Sequence, residues 1–197
     1  MTRERECTMS VEQIIREHIS VIKKMIDTDF VTAVEQFIEA CITTLRNGGT
    51  IYFCGNGGSA ADAQHWTAEL VGRFLSERKA LPAVAMTTDT SIITAVGNDY
   101  GFENIFARQV VALAKNTDLV VGISTSGTSK NVVKALQIAK EIGALSVGMT
   151  GSTGGDLVSV CDICIRIPSN DTARIQEGHA LVGHILCKVI DEVDFNG

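Results

Sequence analysis

Between Thr50 and Ile167 the chain repeats one unit: a short apolar run, a turn, and then in most cases residues at helical spacing. Runs such as Leu119-Val120-Val121-Gly122-Ile123 lack polar alternation, so the strands they form must be buried on both faces. A buried strand followed by a helix and another buried strand requires a parallel sheet with helices packed above and below it. The predicted strands are Ile51–Cys54, Ala83–Met86, Leu119–Ile123, Leu145–Met149 and Ile163–Ile167. Helices are predicted from about Ser59 to Phe74, Asn131 to Ile142 and Ala173 to Val193. The expected fold class is α/β: a three-layer α/β/α, doubly wound parallel sheet forming a single domain over 1–197. Ligands of such sheets sit outside the carboxyl ends of the strands, where loops enter helices.

Two amphipathic helices precede this core, Val11 to about Ile26 and about Phe30 to Leu45, the second stopped by Asn47-Gly48-Gly49. Their apolar faces need cover from the domain's own sheet, a second subunit, or both, so 10–47 is expected to enter an oligomer interface. A net charge of −6 argues against a broad nucleic-acid face. It leaves room for an anionic ligand held by backbone N–H groups. No apolar run approaches membrane-spanning length, and Met1 to Met9 lack the apolar core of a secretion signal, so no membrane partner and a cytoplasmic location are expected. Cys7, Cys41, Cys54, Cys161, Cys164 and Cys187 sit among apolar neighbours, as buried thiols do. Cys161 and Cys164 lie in an alternating strand-like stretch from Val160 to Ile165, unlike a redox pair at a helix entrance.

Three loops after predicted strands are polar: Gly55-Asn56-Gly57-Gly58-Ser59, Ser124-Thr125-Ser126-Gly127-Thr128-Ser129, and Thr150-Gly151-Ser152-Thr153-Gly154-Gly155. None is a dinucleotide fingerprint or a P-loop. The second combines hydroxyl donors, a glycine and a helix start, which together suit a phosphate. Simple capping of the next helix needs fewer such residues. The third loop is assigned only a turn.

Candidate chemistry lies on two helices. His65 and Glu69 are spaced i, i+4 on one face. On the last helix Gln176 and His184 point about 80° apart, with His179 as a rival. Two imidazoles, a carboxylate and an amide oxygen make a four-ligand zinc set. Taken singly, Glu69 also reads as a surface charge, His65 as a polar helix residue and His184 as a core histidine. Trp66 and Phe74 read as packing.

Gly55-Asn56-Gly57-Gly58-Ser59-Ala60 and Gly122 to Ser129, together with Gly97-Asn98-Asp99-Tyr100-Gly101-Phe102 and Ala173-Arg174-Ile175-Gln176-Glu177, resemble the sugar isomerase (SIS) domain family over nearly the whole chain. The resemblance implies a flavodoxin-like SIS fold and a homotetramer. It implies an aldose–ketose isomerase that converts sedoheptulose 7-phosphate to D-glycero-D-manno-heptose 7-phosphate through an enediol, opening nucleotide-activated heptose synthesis. It further implies one zinc ion on His65, Glu69, Gln176 and His184, with Glu69 and His184 as the proton-moving pair, in either order. Sugar and phosphate contacts would fall to Asn56, Gly57, Gly58, Ser59, Glu69, Asn98, Asp99, Ser124, Thr125, Ser126, Ser129 and Gln176, with Arg73 in support. Some relatives carry an acidic residue where Ala173 stands, which weakens any such role here. A non-catalytic member of the family that associates with the bacterial replication initiator lacks the Glu and final His that this chain retains. That contrast favours the enzyme over a phosphosugar-binding adaptor.

Overall fold

The computed structural model describes residues 10–195; Cys7 lies outside the described residues. Five strands, β1 Ile51–Gly55, β2 Ala83–Ala85, β3 Leu119–Ile123, β4 Leu145–Thr150 and β5 Ile163–Arg166, form one sheet in the order β2-β1-β3-β4-β5. Every pairing is parallel, with Phe53 opposite Val121 and Val121 opposite Val147 in the centre. The chain moves outward to one side after β1 and to the other from β3, so the strand order reverses between β1 and β3. That is where a doubly wound sheet opens a crevice.

Strand alternation divides the core into two halves. Ile51, Phe53, Leu119, Val121, Val147 and Met149 face a layer built from α2 (Thr28–Arg46), α3 (Gly58–Val71) and α8 (Thr172–Asp191). Tyr52, Cys54 and Val120 face α5 (Ala107–Leu113) and α6 (Lys130–Glu141), with α4 (Thr90–Tyr100) beside them. Sequence patterning missed α4, α5, the 3-10 turn Phe102–Asn104 and α7 (Leu157–Val160). Each is short or weakly amphipathic, and α4 buries no residue completely.

α7 also corrects the expected strand from Val160 to Ile165: β5 begins only at Ile163, and Cys161 caps the end of α7. Cys161 and Cys164 are free and half-buried, while Cys41, Cys54 and Cys187 are buried. Burial pushes the Cys54 thiol up to about 12, and chiefly burial does the same for Cys187.

α2 packs against β5 and the sheet through Val34, Phe37, Cys41 and Leu45. α1 (Val11–Lys24) lies outside it against α8, leaving Val11 74% and, just past its end, Ile26 76% exposed. Arg174 and Glu177 tie α1 down: Arg174 Nη1 donates to the Ile14 carbonyl, and Glu177 Oε2 lies 2.6 Å from His18 Nδ1. Among the described residues no helix is long and apolar enough to cross a membrane.

Candidate active site

The loops leaving β1 and β3 stand side by side at the point of strand reversal and lead into α3 and α6. Neither helix is capped by a side chain, although Ser129 holds the cap position of α6. Ser129 Oγ instead accepts a 2.9 Å hydrogen bond from Ser124, which lies 3.5 Å from Ser126 Oγ. These hydroxyls therefore face one another at the helix entrance, as an anion cradle requires. Capping was the competing explanation for the serines: Ser129 makes no capping hydrogen bond, while Ser126 Oγ accepts from the Thr128 N–H.

Two glycines make the loops possible. Gly57 has φ +56° and Gly127 φ +71°, conformations that favour glycine. At Gly127 a side chain would also run into the Gly154 carbonyl. The third loop thus has a role that its sequence did not disclose: it buttresses the second. Gly151 N–H donates to the Thr125 carbonyl and Leu157 N–H to that of Gly127. Between these loops and the start of α8 lies a cavity of about 290 Å³, lined in part by Thr125, Ser126, Thr153 and Thr172. A larger depression of about 860 Å³ lies at the opposite end of the strands, beside Asp118 and Leu145, away from these groups.

Asn131 was also missed. Its buried side-chain amide exchanges two hydrogen bonds with that of Asn56, at 2.8 and 2.9 Å, tying the first loop to the second. An Asn at the start of a helix gives only a weak sequence signal, because its partner is 75 residues away.

α3 and α8 run side by side in the same direction, brought close by Gly183, where any Cβ would collide with the Trp66 indole. The close approach sets His65 Nε2 3.0 Å from His184 Nε2 and 3.7 Å from Glu69 Oε1. Three of the four expected metal ligands therefore converge. The fourth, Gln176, packs its amide against Gly58 at the loop end of α3 and has no hydrogen bond to the trio among the described residues. Two imidazole nitrogens and a carboxylate suit zinc chemically, and tetrahedral ligands on bonds of 2.0–2.1 Å stand about 3.3 Å apart. As they lie, His65 and His184 bond each other, and among the described residues no group of three His, Cys, Asp or Glu side chains is arranged to hold an ion.

The remaining candidates separate. His179 is no rival ligand: it is fully buried, its Nε2 stands 3.3 Å from the Thr150 carbonyl, and burial drives its pKa down to about 4. Arg73 lies past the end of α3, exposed beside Glu77. Asn98 and Asp99 end α4, exposed and bonded to each other, with no hydrogen bond to the loops among the described residues. Before Arg174 the acidic residue is Asp171, which caps α8 by accepting from the N–H groups of Ala173 and Arg174. Asp62, one turn before His65, is an addition. Its Oδ2 is buried without a hydrogen-bond partner among the described residues, and burial raises its pKa to about 6 against the opposing pull of His65.

A parallel sheet in this order, with a hydroxyl-lined loop at its reversal and a histidine–glutamate group on the helix after β1, defines a doubly wound α/β domain with its candidate chemistry at the carboxyl ends of the strands. Residues 14–151 match the SIS domain family. A phosphoheptose isomerase from Aliarcobacter butzleri is 51% identical, covering 90% of this chain and 95% of that protein. Solved phosphoheptose isomerases from Neisseria gonorrhoeae and Francisella tularensis superpose with TM-scores of 0.87 and 0.89 at 43% and 39% identity, each covering 93% of this chain and 97% of the other. The chain belongs to the SIS domain family and, within it, to the phosphoheptose isomerases.

Proposed function

We propose that this protein is an aldose–ketose isomerase that converts sedoheptulose 7-phosphate to D-glycero-D-manno-heptose 7-phosphate in heptose biosynthesis. The observation that carries the proposal is the placement of His65 Nε2 3.0 Å from His184 Nε2 and 3.7 Å from Glu69 Oε1, on a helix that starts at the loop after β1. In it, the uncapped starts of α3 and α6, with Ser59, Ser124, Ser126 and Ser129, receive the phosphate. Asn56, Gly57, Gly58, Thr125, Asn98, Asp99 and Gln176 contact the sugar. Anchoring the phosphate lets binding energy orient the reacting carbons.

The reaction moves one proton between adjacent carbons through an enediol. Glu69 removes the carbon-bound proton, and His184 protonates the oxygen that becomes a hydroxyl. His65, Glu69 and His184, joined by Gln176, would hold one zinc ion, which when bound supplies a Lewis acid for the sugar carbonyl.

The same proposal takes the protein to be a cytoplasmic homotetramer assembled through α1 and α2. Supporting it are the exposed Val11, Ile14, Ile15 and Ile19 of α1 and an apolar groove of about 380 Å³ lined by Met25, Phe30, Val34 and Ile185.

The test incubates purified protein with sedoheptulose 7-phosphate and follows aldose formation and solvent proton exchange, with and without a chelator. Turnover is expected in the wild type and is lost in His184→Ala. Full activity in His184→Ala and Glu69→Gln would remove the proton-transfer assignment, leaving a phosphosugar-binding protein. An unchanged rate after verified metal removal would eliminate a catalytic metal. A monomer by light scattering at micromolar concentration would overturn the tetramer.

A further inference from the structure

The catalytic helices α3 and α8 are joined a second time beyond the site, by the segment 72–80 that leaves α3. Asp191, the last residue of α8, has a nearly buried side chain. Its Oδ2 accepts from the N–H groups of Leu75 and Ser76 at 2.6 and 2.8 Å, and its Oδ1 from Arg78 Nε at 2.9 Å. The Arg78 guanidinium turns its other edge to the end of α3, donating to the carbonyls of Glu69 at 2.6 Å and Leu70 at 2.9 Å. Those carbonyls belong to the last helical turn, where intrahelical partners are lacking; that of Leu70 also accepts from the Leu81 N–H. One buried ion pair therefore fixes the backbone of Glu69, the end of α8 and the segment between them.

Phe74 rides on that segment. Its ring stacks on His184 with centroids 5.8 Å apart and planes 19° from parallel, while His184 meets His65 edge to face at 5.2 Å and 87°. The His184 imidazole thus has Phe74 on one face and His65 at its edge, its Nε2 directed at His65. A histidine on one helix face has several rotamers, and contacts at a face and an edge together select one.

We infer that Phe74 is a positioning residue for His184, seated by the Arg78–Asp191 pair, so that segment 72–80 sets the proton-transfer geometry without touching substrate. This rests on the isomerase assignment above, and the test separates the two. Phe74→Leu keeps apolar bulk but removes the flat wall; Phe74→Tyr restores it. Phe74→Leu is expected to lower kcat by about tenfold or more while KM moves less than about twofold, and Phe74→Tyr to retain most of the wild-type kcat. Arg78→Met should reproduce the kcat loss together with a lower melting temperature, because it frees both helix ends.

NMR of protein carrying labelled histidine gives a readout independent of turnover. The Phe74 ring current displaces the His184 ring resonances, assigned by their loss in His184→Ala. That displacement should vanish in Phe74→Leu and persist in Phe74→Tyr. Unchanged His184 resonances in Phe74→Leu overturn the inference. So does a wild-type kcat in Phe74→Leu when His184→Ala is inactive. If His184→Ala itself is active, the catalytic assignment fails instead, and the His65–His184 ring contact, read as a nuclear Overhauser effect lost in Phe74→Leu and kept in Phe74→Tyr, decides whether Phe74 positions the ring.

Discussion

Among the described residues six helices run eleven residues or longer, and they begin in two different ways. α1, α2, α4 and α8 start with a side-chain cap, from Ser10, Asp27, Asp89 and Asp171. α3 and α6, which start at the phosphate-type loops, have none. A cap satisfies backbone donors that would otherwise seek water or a ligand, and it contributes about 1 kcal/mol. The scaffold helices take that stabilisation internally. At the site the cap residues Gly57 and Ser129 take no such bond, and loop order is maintained by other means: the Asn56–Asn131 amide pair, the acceptance of the Val132 N–H by Asn131 Oδ1, the Ser124–Ser129 hydrogen bond and the buttress of Gly154.

The strongest way to break this contrast is Gly127→Ala. The positive φ and the clash with the Gly154 carbonyl leave the new Cβ no room, so a stability loss of about 3 kcal/mol or more and loss of sugar-phosphate binding are expected, read by urea denaturation and calorimetric titration. Normal binding by a stably folded variant would show the loop to be more plastic than its contacts suggest.

His179 sharpens the scaffold side. The folded protein keeps it neutral down to about pH 4, whereas the unfolded chain takes up its proton from about pH 6.5. Its contribution is full above pH 6.5 and is lost as pH falls through 4, by about 3 kcal/mol in total. Asp62 opposes this, since its raised pKa favours the fold at low pH and loses that effect as pH rises through about 6. Comparing denaturation of wild type and His179→Gln from pH 7 to 4 isolates the histidine; an identical slope in both would refute the assignment.

Asn131→Ala leaves the Asn56 amide without its partner in a part-buried position, at a cost of about 2 kcal/mol and with a raised KM. The smallest effects come as a pair. Ser129→Ala, which leaves the buried Ser124 hydroxyl without its acceptor, should cost about 1 kcal/mol and weaken sugar-phosphate binding about tenfold. Asp27→Ala, which removes a working cap far from the site, should cost about 1 kcal/mol and leave kcat/KM unchanged. Undiminished binding in Ser129→Ala would mean that loop structure, not anion binding, explains the serines.

Much of this was legible beforehand. Unbroken apolar runs specify buried parallel strands, and the i, i+4 spacing of His65 and Glu69 commits both to one helix face. The distant pairings were not legible, because nothing local marks them. Asn131 reads as an ordinary helix-start residue until Asn56 is opposite it. Nothing local marks Arg78 and Asp191 as partners, although each is nearly buried against the other. His179 and His184 looked alike as histidines on the last helix, and only the direction each faces separates a core residue from a site residue.

By itself, then, the sequence determined the class of fold, the loops proposed for a phosphate and the short list of groups able to move a proton. The tertiary structure decided which of those groups meet. Periodicity is a property of neighbouring residues, so it survives in one dimension. The approach of His184 to His65 depends on α8 settling against α3 at Gly183, a contact between residues more than a hundred positions apart.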